Sequence, residues 1–523
     1  MMKNSASNRS ADSPNKNNDS RNIFFALFSG LLFFLSFPKF GLGFIAWIAL
    51  VPLLVVLRDI KSVGRALILG WIAGLTACVG IVYWIAYVVV HYGYLPFYLG
   101  LSIMLLLACY LGAYFALFAA GIVYFKKKIP LFIVAPVLWV CLEYIKSRLF
   151  TGFPWENLGY SQFNNIFLIQ IVDVTGIFGL SLLIVLLNVA FFEIVTKRSN
   201  ESFALAAIVV LLWSCIYGYG VLRIAGIDKA LKDAPTMNVS LIQGNIEQSI
   251  KWRKDFQKET VNIYEELSLR RPQAEGSLIV WPETAVPFNF QDENDLHRQL
   301  SDLPVKTKSW FIFGSMSYAR RNQGVDYFNS AYLLSPQGLN LGRYDKVHLV
   351  PYGEYVPFRE HFPFVSGLTA GIGDFVEGKG FSPLNMGERK IGVLICYEGI
   401  LPEAARAYKN AGSELLVNIT NDAWFGTTSA PYQHLSMTVF RAVETRQYLV
   451  RAANTGISAI VDPTGKVIAD TRLFKKDVIH GIIKFSTLPT FYARYGDWPV
   501  GASFLCMVIL FVWRLTGRNR NVI

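Results

Sequence analysis

The run Lys390-Ile391-Gly392-Val393-Leu394-Ile395-Cys396-Tyr397-Glu398 opens as a buried β-strand and ends on a thiol. Short apolar runs of the same kind recur through 237–484, separated by turn or helix signals. Working outward, they fall at 238–243, 277–281, 310–314, 330–334 and 414–418. A further pair over 446–470 turns at Asp462-Pro463-Thr464-Gly465. Amphipathic helices are expected at 253–270, 401–411 and 430–445. Strands interleaved with helices predict a layered α/β domain.

The remainder of the chain has a different character. Its 523 residues exceed one ordinary domain, and a charged fraction of 16% excludes a plain soluble protein. Long apolar runs dominate 23–222 and return at 498–515, whereas 223–497 is mixed in composition. Crossing about 30 Å of hydrocarbon takes roughly 20 apolar residues in a helix. That predicts about eight transmembrane helices, at 23–37, 41–57, 66–90, 95–124, 129–145, 172–195, 203–222 and 498–515. The first two are short and suit a tight hairpin around Pro38-Lys39-Phe40-Gly41. The stretch 162–174, with Gln170 and Asp173, is expected at the membrane interface. The Asn- and Ser-rich segment 1–22 reads as a disordered cytoplasmic tail with no cleavable signal peptide, and 516–523 as a second tail.

The formal charge of +12 gathers in clusters beside the apolar runs, which argues against a nucleic-acid partner. With the N-terminus inside, the inner segments hold Lys3, Arg9, Lys16, Arg21, Arg58, Lys61, Arg65, Lys126, Lys127, Lys128, Lys197, Arg198, Arg514, Arg518 and Arg520. The short outer loops hold only Lys39, Lys146 and Arg148. Fifteen against three predicts that 223–497 lies outside the cytoplasm, between the seventh and eighth spans.

Of six cysteines, Cys78, Cys109, Cys141, Cys215 and Cys506 fall in or beside apolar runs, as buried structural thiols do. Cys396 is alone in the outer domain and has no partner there for a disulfide. The six histidines show no paired ligand spacing, so no metal or other cofactor is expected. Two more polar residues follow strand-like runs, Glu283 after 278–282 and Lys346 after the Tyr344-Asp345 turn. Strand ends let a rigid scaffold aim side chains at one point. A carboxylate can take the proton of a thiol, and an ammonium can stabilise both the thiolate and an oxyanion. The N–H of Tyr397 is adjacent in sequence and would add an oxyanion donor. Taken singly, Glu283 also reads as a helix cap, Lys346 as a surface charge and Cys396 as an inert buried thiol.

The surrounding words bear on that choice. Trp281-Pro282-Glu283-Thr284, Tyr344-Asp345-Lys346-Val347-His348-Leu349-Val350-Pro351 and Ile395-Cys396-Tyr397-Glu398 resemble, in order and spacing, the motifs of the carbon–nitrogen hydrolase (nitrilase) superfamily. The resemblance extends through 418–426 and 451–456. It implies an αββα sandwich in which Glu283 is the base, Lys346 stabilises the intermediate and Cys396 is the nucleophile. Nearly the whole chain resembles the apolipoprotein N-acyltransferase family, including 152–162, Gln243-Gly244-Asn245-Ile246 with Trp252, and 351–357. That resemblance implies a multi-pass protein of the bacterial inner membrane with a periplasmic catalytic domain. It implies a phospholipid acyl donor, a diacylglyceryl-cysteine lipoprotein as acceptor, supporting roles for Glu354, Tyr397 and Glu398, and substrate-side roles for Trp252 and Trp424.

On these grounds the expected reaction is ping-pong acyl transfer through a thioester on Cys396. Burying each CH₂ is worth roughly 0.8 kcal/mol, so a long chain calls for a site open to the bilayer. Aromatic stretches at 357–375 and 424–432 are candidates for that doorway, with packing against the helices as their plain alternative. A membrane-tethered amidase and a non-catalytic lipid-binding module are the rival readings.

Overall fold

The computed structural model describes residues 16–322, 324–355 and 375–516. The first part is helical: α1 (Lys16–Leu35), α2 (Val51–Asp59), α3 (Val63–Val82), α4 (Trp84–His91), α5 (Phe97–Phe125), α6 (Leu131–Arg148), α7 (Val172–Thr196) and α8 (Asn200–Ala230). Among the described residues, five segments are long and apolar enough to cross a membrane: Val63–Val82, Phe97–Phe125, Leu168–Thr196, Asn200–Ala230 and Trp498–Thr516. The expected count of about eight is therefore met by five. In α1 the charges Asp19 and Arg21 shorten the apolar run, as Glu143, Lys146 and Arg148 do in α6.

The expected span 41–57 is not one rod. It is a 3₁₀ turn at Gly43–Trp47 followed by the nine-residue α2. Gly43 lies so close to Ser161 that a Cβ would sit 2.3 Å from its carbonyl oxygen. Pro52, in the first turn of α2, starts a new helix where its missing N–H costs nothing. Buried Asn188 of α7 accepts from Leu50 N–H at 2.8 Å and donates to the Ala46 carbonyl at 2.8 Å. Those two bonds satisfy backbone groups that the break exposes.

The second part holds two sheets. The seven-stranded sheet contains β1 (Thr236–Gln243), β2 (Leu278–Val280), β3 (Val286–Asn289), β4 (Trp310–Arg321), β5 (Gly324–Leu334) and β6 (Asn340–Asp345). The six-stranded sheet contains β7 (Leu384–Met386), β8 (Arg389–Ile395), β9 (Leu415–Thr420), β10 (Tyr448–Ala453), β11 (Ala459–Val461) and β12 (Val467–Asp470). β13 (Asp477–Lys484) returns to pair antiparallel with β1. The orders are β13-β1-β2-β4-β5-β6, with β3 on β4, and β12-β11-β10-β9-β8-β7. Strands β1, β2 and β4 run parallel, as do β8, β9 and β10.

The helices of this part begin with α9 (Gln248–Lys251), α10 (Gln257–Leu269) and α11 (Asp295–Thr307). They continue with α12 (Pro402–Asn410), α13 (Ala430–Thr445) and α14 (Phe491–Tyr495). Strand alternation assigns the layers. Ile279, Phe311, Phe313 and Tyr332 share a core with Val261, Tyr264 and Leu300 of α10 and α11. Their sequence neighbours Leu278, Val280, Ile312, Ala331 and Leu333 join Val393, Leu416 and Val450 of the second sheet. On that sheet's outer face Tyr408 of α12 lies over Gly392, where a Cβ would meet its ring at 2.6 Å. The result is helix, sheet, sheet, helix. Strand ends from both sheets meet at one place.

Candidate active site

Glu283 follows β2 on a turn that only a close-packed backbone allows. Trp281 is fully buried and donates to Ser268 Oγ at 2.9 Å. Thr284 takes φ +47°, a left-handed conformation that is rare for a β-branched residue. Gly314 of β4 sits against this turn, where a Cβ would lie 2.4 Å from Thr284 N. The Glu283 carboxylate is only 7% exposed. It accepts from Asn329 Nδ2 at 2.7 Å and from Asn421 N–H at 2.9 Å, and it lies 3.9 Å from Lys346 Nζ.

Lys346 follows β6 and is 1% exposed. Its Nζ pairs with Glu354 at 2.7–2.8 Å. Burial works against its charge, but Glu354, Glu283 and Cys396 together hold its pKa above the usual lysine range. Glu354 is itself fixed by Asn329 Nδ2 at 2.8 Å and Val350 N–H at 2.8 Å. One amide therefore bridges both carboxylates. Burial pushes the Glu283 carboxyl up and Glu354 adds to this, while Lys346, Asn329 and Lys251 oppose it.

Cys396 follows β8 with φ +53°, at the start of a 3₁₀ turn running to Ile400. Its carbonyl lies 3.2 Å from His434 Nε2 and 3.4 Å from Asn418 Nδ2, which anchors the unusual backbone. Burial raises the thiol pKa and Glu283 raises it further, while Lys346 lowers it. The thiol thus sits within the electrostatic reach of both other residues. A thiol and a carboxylate that influence each other electrostatically, both with pKa values raised by burial, form a pair able to exchange a proton.

Glu398 ties the Cys396 turn to the Lys346 segment. It is fully buried and accepts at 2.8–3.0 Å from Tyr344 Oη, Val347 N–H and His348 N–H, all on the Lys346 side. It also accepts from Ile395 N–H at 2.8 Å, next to Cys396. Burial pushes its carboxyl up to about 7. Tyr397 stacks between Trp155, at 6.4 Å, and His348, at 5.7 Å.

Trp252 is 39% exposed, and Trp424 meets Tyr92 edge-on at 4.8 Å. The stretch 424–432 packs on the helical part, with Phe425 at 5.0 Å from Trp84 and Ser429 N–H bonded to Tyr83 Oη at 2.9 Å. Residues 356–374, which hold most of the other expected doorway, lie outside the described residues.

Several residues here had no role assigned from the sequence, although Trp155, Asp422 and Arg451 lie within the family-like stretches 152–162, 418–426 and 451–456. Asn329 lies within β5, and Lys251 donates to the Glu283 carbonyl at 3.3 Å and to Thr284 Oγ1 at 2.5 Å. His434 joins Asp422 at 3.0 Å, and Asp422 joins Arg451 at 2.7 Å, all fully buried. Trp155 donates to Gln433 Oε1 at 2.8 Å, and Gln433 in turn donates to the carbonyls of Pro38 and Ile81. For Lys251, Asn329, Gln433 and His434 the sequence signal was a polar residue near an apolar run, and that pattern is common.

Residues 29–190 match the family "Apolipoprotein N-acyltransferase N-terminal domain", and residues 238–491 match "Carbon-nitrogen hydrolase". A relative named apolipoprotein N-acyltransferase from Geobacter metallireducens is 46% identical over 490 residues, which is 91% of this chain and 92% of that protein. One from Methylococcus capsulatus is 32% identical over 95% of this chain and 96% of its own. Among solved structures, a Saccharomyces cerevisiae member of branch 10 of the nitrilase superfamily is 19% identical. It covers 48% of this chain and 90% of its own at a TM-score of 0.37.

Proposed function

Because the chain belongs to the apolipoprotein N-acyltransferase family, we propose that Glu283, Lys346 and Cys396 carry a fatty acyl chain from a phospholipid to the N-terminal amine of a diacylated lipoprotein. The observation that carries this reading is the convergence of a buried carboxylate, a buried ammonium and a thiol from three strand ends.

In the first half-reaction Glu283 takes the thiol proton as sulfur attacks the ester carbonyl carbon. The Lys346 ammonium stabilises the oxyanion. Collapse breaks the C–O bond, and the leaving alkoxide takes the proton from Glu283, giving a lysophospholipid and a thioester. In the second half the lipoprotein amine attacks the thioester and Glu283 accepts its proton. The C–S bond breaks, and the sulfur is reprotonated. Two covalent steps predict ping-pong kinetics. Glu354 keeps Lys346 charged, while Glu398 and Tyr397 hold the nucleophile's turn. Trp252 and Trp424 face the substrates.

The same reading makes 23–222 and 498–515 the part in the inner membrane and 223–497 a periplasmic domain, with cytoplasmic tails at 1–22 and 516–523. The charge asymmetry along the chain and the five apolar segments support it. Incubation of the full-length protein with an acyl-labelled phospholipid tests the chemistry. The label is expected on Cys396 as a thioester and is absent in Cys396→Ala. Ammonia release from soluble amides, with no label acquired from lipid, would instead make the protein an amidase.

A further inference from the structure

Lys251 ends α9 and is completely buried, although a lysine in a short surface helix ordinarily reaches solvent. Its Nζ spends two hydrogen bonds on one target, the Glu283 carbonyl at 3.3 Å and Thr284 Oγ1 at 2.5 Å. That target is the turn whose Thr284 sits at φ +47°. Backbone held in a sparsely populated region persists only where its surroundings over-determine it. Gly314 supplies the space beneath this turn, and Lys251 supplies the restraint above it.

We propose that Lys251 is a positioning residue: its buried amino group clamps the Glu283–Thr284 turn and thereby aims the Glu283 carboxylate at the Cys396 thiol. This inference rests on the reading of Glu283 as the base. A second tether acts on the same short helix, because Gln248 Oε1 accepts from Asn421 Nδ2 at 2.7 Å. Asn421 is also the residue whose N–H bonds the Glu283 carboxylate. α9 thus grips the base from its backbone side through Lys251 and from its carboxylate side through Gln248 and Asn421. Trp252 follows directly, with the Lys251 amine 5.8 Å from its ring centroid, so this clamp and the exposed indole belong to one turn.

The clamp is also electrostatic. The charged groups around Glu283 are Lys346, Glu354 and Lys251, together with the Cys396 thiol, and Lys251 is among those that lower its carboxyl pKa. Burial draws the pKa of Lys251 itself down to about 7. Below that pH the amine is charged and favours the ionised base. Above it the neutral amine still donates hydrogen bonds to Thr284 and the carbonyl.

The test uses the full-length protein with vesicles of a dipalmitoyl phosphatidylethanolamine labelled in its acyl chains, read by single-turnover thioester formation. Lys251→Met is expected to slow acylation about 10- to 100-fold, the scale of a small misplacement of a reacting group, with the half-saturating lipid concentration unchanged. Its acid limb should move to higher pH. Lys251→Gln keeps donors without charge, so it should recover part of the rate while leaving the limb displaced. Thr284→Val removes the hydroxyl partner at nearly the same volume and should slow acylation without moving the limb, which keeps the inference testable if Lys251→Met does not fold. Parent-like rates and limbs in Lys251→Met, or in Lys251→Gln and Thr284→Val together, would overturn it. Glu283→Ala is the separating control: intact acylation there removes the base assignment itself, whereas its loss beside a normal Lys251→Met rejects the clamp alone.

Discussion

Asn329 offers the sharpest check on the site, because one amide nitrogen supports two carboxylates with different duties. Its Nδ2 donates to Glu283 at 2.7 Å and to Glu354 at 2.8 Å. Asn329→Ala removes both bonds but leaves Glu354 held by Lys346 and Val350, and Glu283 held by Asn421. A hydrogen bond to a charged group is worth about 1.5–3 kcal/mol. If the bond to Glu283 is kept in the transition state, its loss slows acylation by about 10- to 150-fold. The bond also favours the ionised Glu283 carboxylate, so with Glu283 as the proposed base the acid limb of the rate profile should rise in pH. Asn329→Asp should lose at least as much, because three carboxyl groups would then meet and one must keep a proton. Rapid-quench measurement of acyl label on Cys396 under single-turnover conditions reads all three effects. Unchanged acylation in Asn329→Ala across the neutral range would show that this bridge does not position Glu283 for the proposed chemistry.

Three other outcomes follow from the same geometry. Since burial raises Glu283, thioester formation should increase with pH through a midpoint above the ordinary glutamate value of about 4.3, and with Lys346 held above its own range no alkaline loss from it is expected below pH about 10.4. Glu398→Ala leaves four donors without their acceptor, each costing about 1–3 kcal/mol, so both the thermal midpoint and acylation should fall sharply, and a variant with normal melting would contradict the bridging role. Arg446→Met strips a buried guanidinium from Asp173 at 2.9–3.0 Å and from Gln170, a loss of about 3–5 kcal/mol that calorimetry should register as a lower unfolding temperature of the whole chain.

What the amino-acid order disclosed depends on how each element is buried. β2, β8, β9 and β10 are buried nearly throughout and stand out as apolar runs. β6 and β13 are mostly exposed or half-exposed, and β3 and β7 are three or four residues long, so none of them rises above the loops. The positions of Glu283, Lys346 and Cys396 just past strand ends were legible because each follows such a run or turn. Asn329 and Lys251 were not, since what matters there is the partner across the fold. Span 41–57 was misread because hydropathy averages composition and does not register the break between the 3₁₀ turn that ends at Trp47 and the new helix with Pro52 in its first turn.

Trp155 and Gln433 have a practical consequence for anyone who wants a water-soluble version of this catalyst. The indole beneath Tyr397 belongs to the helical half, and the glutamine that receives its N–H is braced on carbonyls of that same half. Severing the chain after α8 would keep the residues of both sheets but remove the ring stacked on Tyr397, the neighbour of Cys396. Inhibitors selected against such an excised fragment would be fitted to a surface that the whole enzyme never presents.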